Sequence, residues 1–183
     1  MKLKTLLALS AAVTVVALAS SASAVEFLFT FAGDGGINGA SGTLDATANG
    51  DGTFTAVSGT ITAFGPVVAG SGTLTANPNA PAAAGSPSGF FTYDDQLLPG
   101  QNPLITNNGL LFDIGGAEVN IFSNGPGPDT YTIYNNDGDN ANGDFALSQV
   151  ASVPEPATWA MMLVGVGFAG GAMRASRKKA IAA

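Results

Sequence analysis

Between residues 25 and 153 apolar side chains recur at alternate positions in short runs, and each run is cut by a cluster of Gly, Asn, Asp or Pro. Alternation with period two puts every second side chain on one face of an extended chain, and the interruptions leave no window for the spacing of an amphipathic helix. The stretch is therefore read as all-β. Its clearest run is VEFLFTF at 25–31, with Phe27, Phe29 and Phe31 on one face. Further runs stand at 41–47, 53–64, 67–76, 90–93, 110–114, 117–122, 130–134 and 145–150. Gly115-Gly116 suits a two-residue hairpin because glycine tolerates positive φ, and Asn49-Gly50 carries the chemistry of a tight turn. Ser58-Gly59 shifts the phase of its run and predicts a bulge or break. Residues 77–89, rich in Pro, Ala, Ser and Gly, read as a mobile loop. The expectation is a single antiparallel β-sandwich or barrel of about eight short strands, the last four in a meander.

Charge narrows what such a domain can do. All six Lys and Arg residues lie outside 25–153: Lys2 and Lys4 before it, Arg174, Arg177, Lys178 and Lys179 after it. Of the 13 acidic residues only Glu155 lies outside that stretch, which leaves 12 carboxylates and no basic side chain within it. A surface of one negative sign repels nucleic acid and anionic lipid, so nucleic-acid binding is excluded. The chain has no cysteine and no histidine. Disulfides, thiolate metal sites, an imidazole base and a cationic clamp for phosphate or an oxyanion are therefore all missing from the domain.

The two ends differ from the rest. Residues 1–24 join Lys2 and Lys4 to an apolar run at 6–18 and then to Ala22-Ser23-Ala24, the small-residue pattern that signal peptidase cuts. They are read as a signal peptide, followed by a secreted acidic β-domain at 25–150. Residues 151–157 form a linker containing Pro154-Glu155-Pro156, where each proline fixes φ and removes a donor, so the tripeptide stands extended and accessible. An uncharged span at 158–173 follows, with Trp159 near its outer end, and then a basic tail at 174–183 that stays on the cytoplasmic side. The span is rich in glycine and at the lower limit of the roughly 17 to 25 residues that cross a bilayer. It reads as a C-terminal transmembrane helix that serves as a temporary anchor.

The order Pro154, Glu155, Pro156, then Trp159 with the Ala-Met-Met-Leu that follows it, spaced glycines, and Arg174, Arg177, Lys178 and Lys179 resembles the PEP-CTERM sorting signal in its Trp-Ala variant. The resemblance implies recognition of Pro154, Glu155 and Pro156 by exosortase, a holding helix from Trp159 onward, and retention by the basic cluster. It further implies transient anchoring in the inner membrane and release to the cell surface or extracellular matrix of a Gram-negative, exopolysaccharide-producing bacterium. Residues 52–122, with the stretches SGTIT, DDQLL and GLLF, look similar to a recurrent ectodomain of PEP-CTERM proteins, for which the resemblance implies no biochemical role.

Three constellations within the domain carry candidate chemistry. Asp94-Asp95 is an adjacent acidic pair, but neighbours on an extended chain point opposite ways, whereas glycosidase carboxylates face each other across a sugar. A solvated turn is expected there. Residues 135–144 gather oxygen ligands of the kind calcium takes, with Asp137, Asp139, Asn142 and Asp144 as the candidates; Ala141 breaks the alternation and no bidentate Glu follows. Four Thr-x-Thr pairs, Thr53/Thr55, Thr60/Thr62, Thr73/Thr75 and Thr130/Thr132, put two hydroxyls each on one strand face and would stack into an array for ice or polysaccharide.

The expected function is that of a non-enzymatic exported surface or matrix protein, associated with exopolysaccharide or biofilm. It needs no cofactor except calcium if residues 135–144 bind it, and its processing partners are signal peptidase and exosortase. The alternatives are a small carbohydrate-active enzyme using Asp carboxylates and a ligand- or ice-binding module.

Overall fold

The computed structural model describes residues 24–151 and 162–167. The strands are β1 (Val25–Gly33), β2 (Gly39–Ala48), β3 (Phe54–Phe64), β4 (Gly70–Leu74), β5 (Ala84–Gly85), β6 (Thr92–Tyr93), β7 (Gln96–Leu97), β8 (Leu110–Ile114), β9 (Ala117–Ser123), β10 (Tyr131–Asn135) and β11 (Asn140–Gln149), with a 3-10 turn at Asp34–Gly36. Eight of these strands close into a ring. β1, β2, β3, β4, β8, β9, β10 and β11 pair antiparallel in that order. β11 then returns to β1, with Phe27 opposite Gln149 and Gly33 opposite Gly143. Of the expected sandwich or barrel, the barrel is what forms, in up-and-down order. Closure pairs the first strand with the last and so removes the two edges an open sheet would expose.

The alternation in β1 fills the interior. Phe27, Phe29 and Phe31 are all buried, and the ring of Phe29 lies 5.8 Å from Phe145 and 5.6 Å from Phe112, while Phe27 meets the edge of Phe54 at 5.1 Å. An eight-stranded barrel has an interior that side chains can just fill, and burying each such side chain contributes roughly 1.5–3 kcal/mol. Leu44, Ile61, Leu110, Val119, Ile121 and Ile133 complete the same core.

A short motif recurs on three neighbouring strands: Ser41-Gly42-Thr43-Leu44, Ser58-Gly59-Thr60-Ile61 and Ser71-Gly72-Thr73-Leu74. Leu44, Ile61 and Leu74 turn inward, and the hydroxyl residues turn outward. The glycine between them has a steric cause. A Cβ at Gly42 would lie 1.9 Å from the Thr60 carbonyl oxygen, and one at Gly72 would lie 1.9 Å from that of Asp113. The strands approach so closely at these points that a side chain larger than glycine's hydrogen would strike the neighbouring backbone.

Local expectations are met or corrected by identifiable causes. Gly115 and Gly116 have φ of 66° and 93° and make the two-residue turn between β8 and β9. The bulge falls at Val57, one residue before Ser58-Gly59, because Asp45 pairs with Ser58 and Ala46 with Ala56. The turn at Asn49-Gly50 is wider than a tight hairpin, since the Asn49 N–H reaches the Thr53 carbonyl and Asp51 accepts from Thr53. The last strand begins at Asn140 and not at residue 145. Ala141, Gly143 and Phe145 face inward there, and the small size of the first two hides the period in the sequence.

Residues 77–89, expected as a mobile loop, are instead tied down. They belong to an insertion between β4 and β8 that also carries β5, β6 and β7, of which β7 pairs with β3. The β5–β6 pair is the flap over the outer wall of β8 to β10. Leu111 points out of the barrel yet is fully buried, because Ala84, Phe91 and Tyr93 cover it in a second small core with Tyr134. Asn77 anchors the start of the insertion: its side-chain amide donates to the carbonyls of Ala82 at 2.8 Å and Tyr93 at 3.3 Å, and its oxygen accepts from the Asn79 N–H at 2.8 Å.

Candidate functional site

The acidic pair at 94–95 is not a solvated turn. Asp94 is 4 % exposed and Asp95 is fully buried. Asp95 adopts a φ of 54°, a left-handed conformation that short polar side chains tolerate better than most. That geometry points its carboxylate at two backbone amides, Asn77 N–H at 2.9 Å and Leu111 N–H at 3.3 Å, while its own carbonyl accepts from Ala56 N–H at 2.8 Å. One residue thus ties β3, β8 and the end of β4 to the flap. Burial is the chief reason its carboxyl is pushed up to about 7, the two amides oppose that shift, and the neighbouring Asp94 adds to it. Asp94 accepts from the Thr106 hydroxyl at 2.6 Å, the Gln96 N–H at 3.2 Å and the Asn108 side-chain amide at 3.1 Å. Every oxygen of the pair is occupied within the wall, and the two do not face each other across a cleft.

Glu118, on the outward side of β9, holds the tip of the flap. It accepts from the Ser88 N–H at 2.7 Å and the Ser88 hydroxyl at 2.5 Å. Burial alone would raise its carboxyl, but the hydrogen bonds from Ser88 and Ser86 outweigh that and hold it below the usual value. With no basic side chain available between residues 25 and 153, the flap is fastened by carboxylates that accept N–H and O–H groups.

Where the flap meets the barrel it leaves a groove of about 280 Å³, bordered by Phe90 and Phe91 of the flap, Tyr134 of β10, Asn120 of β9, and Asn107 and Asn108 before β8. The three aromatic rings form an edge-to-face cluster, with Phe90 at 4.8 Å from Phe91 and 5.7 Å from Tyr134, and Phe91 at 5.8 Å from Tyr134. The Asn120 amide nitrogen donates to the Asn108 carbonyl at 2.9 Å, which fixes the orientation of the side chain. Its oxygen is buried and has no partner, one of two such side-chain atoms among the described residues, with Asn136 Oδ1. Asn107 and Phe122 also border a second hollow of about 430 Å³ alongside. Sequence reading missed this site because its residues come from four separate segments; the run of asparagines with two adjacent phenylalanines was its one visible trace.

The hydroxyl residues are brought together in part. Thr43, Thr60 and Thr73 align across β2, β3 and β4, and Ser41, Thr62 and Ser71 form the next row. They bond mainly to one another: Thr43 to Thr60 at 3.0 Å, Thr62 to Ser71 at 3.1 Å, and Ser58 to the Asp45 carboxylate at 2.7 Å. Thr55 and Thr132 are buried and lie outside this face, and Thr53, Thr75 and Thr130 fall outside the strands.

The four calcium candidates are separated by the β10–β11 hairpin. Asp137 and Asp139 sit in its turn, where their N–H groups bond to the Asn135 side chain at 3.0 and 2.9 Å. Asn142 accepts from the Thr132 hydroxyl at 2.7 Å, and Asp144 accepts from the Asp129 N–H at 2.9 Å. The neighbours of Asp144 are acidic as well, and the Asp129 carboxyl is raised first by the charge of Asp34 and then by that of Asp144. Among the described residues no three acidic side chains converge as a metal ion would require.

The expected sorting residues Pro154, Glu155, Pro156, Trp159, Arg174, Arg177, Lys178 and Lys179, together with Ala22, lie outside the described residues, and Ala24 immediately precedes β1. Of the span at 158–173 only residues 162–167 are described, and they are helical and exposed. Among the described residues no helix is long and apolar enough to cross a membrane. An acidic barrel is thus joined to a tail of different chemistry, the arrangement of a cargo domain with a delivery signal. Residues 152–178 match the family model of the PEP-CTERM protein-sorting motif. The chain carries that motif, which implies an exosortase-sorted extracellular protein. No curated protein and no solved structure matches the chain.

Proposed function

We propose that this protein is a non-enzymatic component of the cell surface or extracellular matrix, delivered by its sorting tail and associated there with exopolysaccharide. The sorting motif at 152–178 is the observation that carries the reading. The chemistry of the barrel supports it: no imidazole, thiol or amine side chain stands between residues 25 and 153, and the adjacent aspartates spend their oxygens on Asn77, Leu111, Thr106 and Asn108 within the wall. Signal peptidase cutting after Ala24, a transient stay in the inner membrane, and exosortase acting near Pro154, Glu155 and Pro156 complete the proposed route. Calcium at the acidic hairpin stays a part of this proposal that titration of the purified chain decides, by a calcium-dependent rise in melting temperature that Asp139→Asn abolishes.

Replacing Pro154, Glu155 and Pro156 together by alanine tests the route. The expected outcome is retention of an unprocessed, larger species in the membrane fraction. Processing and release at the normal rate would overturn it.

A further inference from the structure

We propose that the groove between the flap and the β9–β10 wall is a binding site for a neutral glycan, with aromatic rings stacking on sugar faces and asparagine amides bonding to sugar hydroxyls. This rests on the exopolysaccharide-associated reading above and gives that reading a site.

Three observations point to this ligand class. First, Phe90 is held by edge contacts to Phe91 and Tyr134 yet stays 50 % exposed, although a loop of this composition has no need of a large apolar side chain in water. Phe64 is exposed as well, at 58 %, but its ring has a packing role on its own wall, lying over Gly39 where a side chain would otherwise stand. An aromatic ring beside polar groups offers an apolar face with hydrogen bonding at its rim, which matches the alternating faces and hydroxyls of a pyranose.

Second, Asn120 is 3 % exposed, borders the groove, and keeps an acceptor oxygen without a partner. Its amide cannot turn over without losing the bond to the Asn108 carbonyl, so what the site lacks is a donor. A hydroxyl supplies one. An apolar ligand would leave this oxygen and the neighbouring amides unsatisfied, a cost that grows once the groove is closed to water.

Third, no charged side chain borders either hollow. Asp94, the carboxylate bonded to the Asn108 side chain, already accepts from Asn108, Thr106 and Gln96. A cationic ligand finds no counter-charge there, and an anionic one meets a domain without a single basic side chain. Neutral sugar remains. The second hollow shares Asn107 and Phe122 with the first, which gives the site the form of a track for a chain of sugar units.

The test uses the full chain purified in detergent and titrated calorimetrically with cello-, laminari- and mannohexaose, with hexagalacturonate as the charged comparator. At least one neutral hexaose is expected to bind with a Kd below about 1 mM, and hexagalacturonate is expected to bind at least tenfold more weakly. Phe90→Ala, at an exposed position that leaves both cores intact, is expected to weaken binding at least tenfold, and Asn120→Ala likewise. Thr60→Val on the opposite wall is expected to leave it unchanged. The proposal is overturned if a folded chain binds none of the neutral hexaoses. It is equally overturned if Thr60→Val and not Phe90→Ala abolishes binding, or if Phe90→Ala only converts a dimer to a monomer in sedimentation, which would make a second copy the occupant. Failure of the Pro154, Glu155 and Pro156 replacement to change sorting would touch the delivery route alone, because the titration does not depend on it.

Discussion

On the wall formed by β2, β3 and β4, outward hydroxyls face water and bond to one another, whereas on the wall formed by β8, β9 and β10 the outward Leu111, Glu118 and Asn120 lie beneath a flap. The barrel core behind both walls is the same kind of apolar packing. What differs is where polar groups find partners. The bare wall satisfies its hydroxyls locally and needs only close strand approach, enforced by glycine. The covered wall must satisfy groups removed from water, and it does so with carboxylates because the domain has no base to offer. The covered wall also keeps an unpaired acceptor, at Asn120. A ligand therefore has more to gain at the covered wall than at the wall that displays more hydroxyls.

The largest effect that bears on this contrast belongs to the bare wall. Gly42→Ala places a methyl group against the Thr60 carbonyl and the Phe29 ring, 1.9 and 2.7 Å from the new carbon. Neither the backbone of β3 nor a fully packed ring can yield cheaply, so a loss of roughly 3 kcal/mol or more is expected. Urea unfolding followed by circular dichroism measures it. A change under 1 kcal/mol would mean that the close approach does not hold the wall together.

On the covered wall, Asp95→Ala leaves the amides of Asn77 and Leu111 buried without an acceptor. The expected cost is about 2–3 kcal/mol, in line with the penalty for orphaned buried donors. Hydrogen exchange should show the loss concentrated in residues 77–111, with β1, β2 and β11 still protected. Uniform loss of protection would show that flap and barrel form one cooperative unit.

The same residue sets a pH dependence smaller than its deletion. The Asp95 carboxyl titrates at about 7 in the folded chain against 3.8 unfolded. Over that interval the native state holds a proton that the unfolded state has released, so the stability this group contributes is full below pH 3.8 and is lost as pH rises towards 7. Glu118 runs the other way, contributing above its unfolded value of 4.5 and losing that contribution in acid. Between pH 5 and pH 8 Asp95 dominates, and the melting temperature is expected to fall by on the order of 5 °C. Asp95→Asn should flatten that slope, and a melting temperature that rises over the same range would reverse the assignment.

Legibility in the sequence followed the same division between walls. β1 shows in period two because it buries one face and exposes the other, and Gly115-Gly116 marks the turn between β8 and β9. On the covered wall both faces of β8 and β9 are buried, so Leu110, Leu111 and Phe112 run without alternation, and nothing local says that a distant segment lies over them. The burial of Asp94 and Asp95 was hidden for a related reason. An acidic pair beside glycine and proline has the composition of a solvated turn, and only the long-range donors at Asn77, Thr106 and Leu111 make it an internal fastening. The hydroxyl face was partly visible as Thr-x-Thr spacing, but the recurrent Ser-Gly-Thr that defines its strands carries the steric reason as well.

The smallest expected effect is at Thr60, the centre of the bare wall. Thr60→Val keeps the β-branched shape and the strand preference and removes one hydroxyl whose partner, Thr43 Oγ1, can turn to water. A change within about 0.5 kcal/mol is expected in urea unfolding, since exposed positions away from special features seldom matter more. The same substitution at Thr62, bonded to Ser71 at 3.1 Å, should behave alike, and the double variant should be additive because each hydroxyl retains access to solvent. A loss well above 1 kcal/mol from either substitution would mean that the hydroxyl rows hold the strands together. The bare wall would then depend on its polar contacts as the covered wall does, and the contrast between the two would rest on the flap alone.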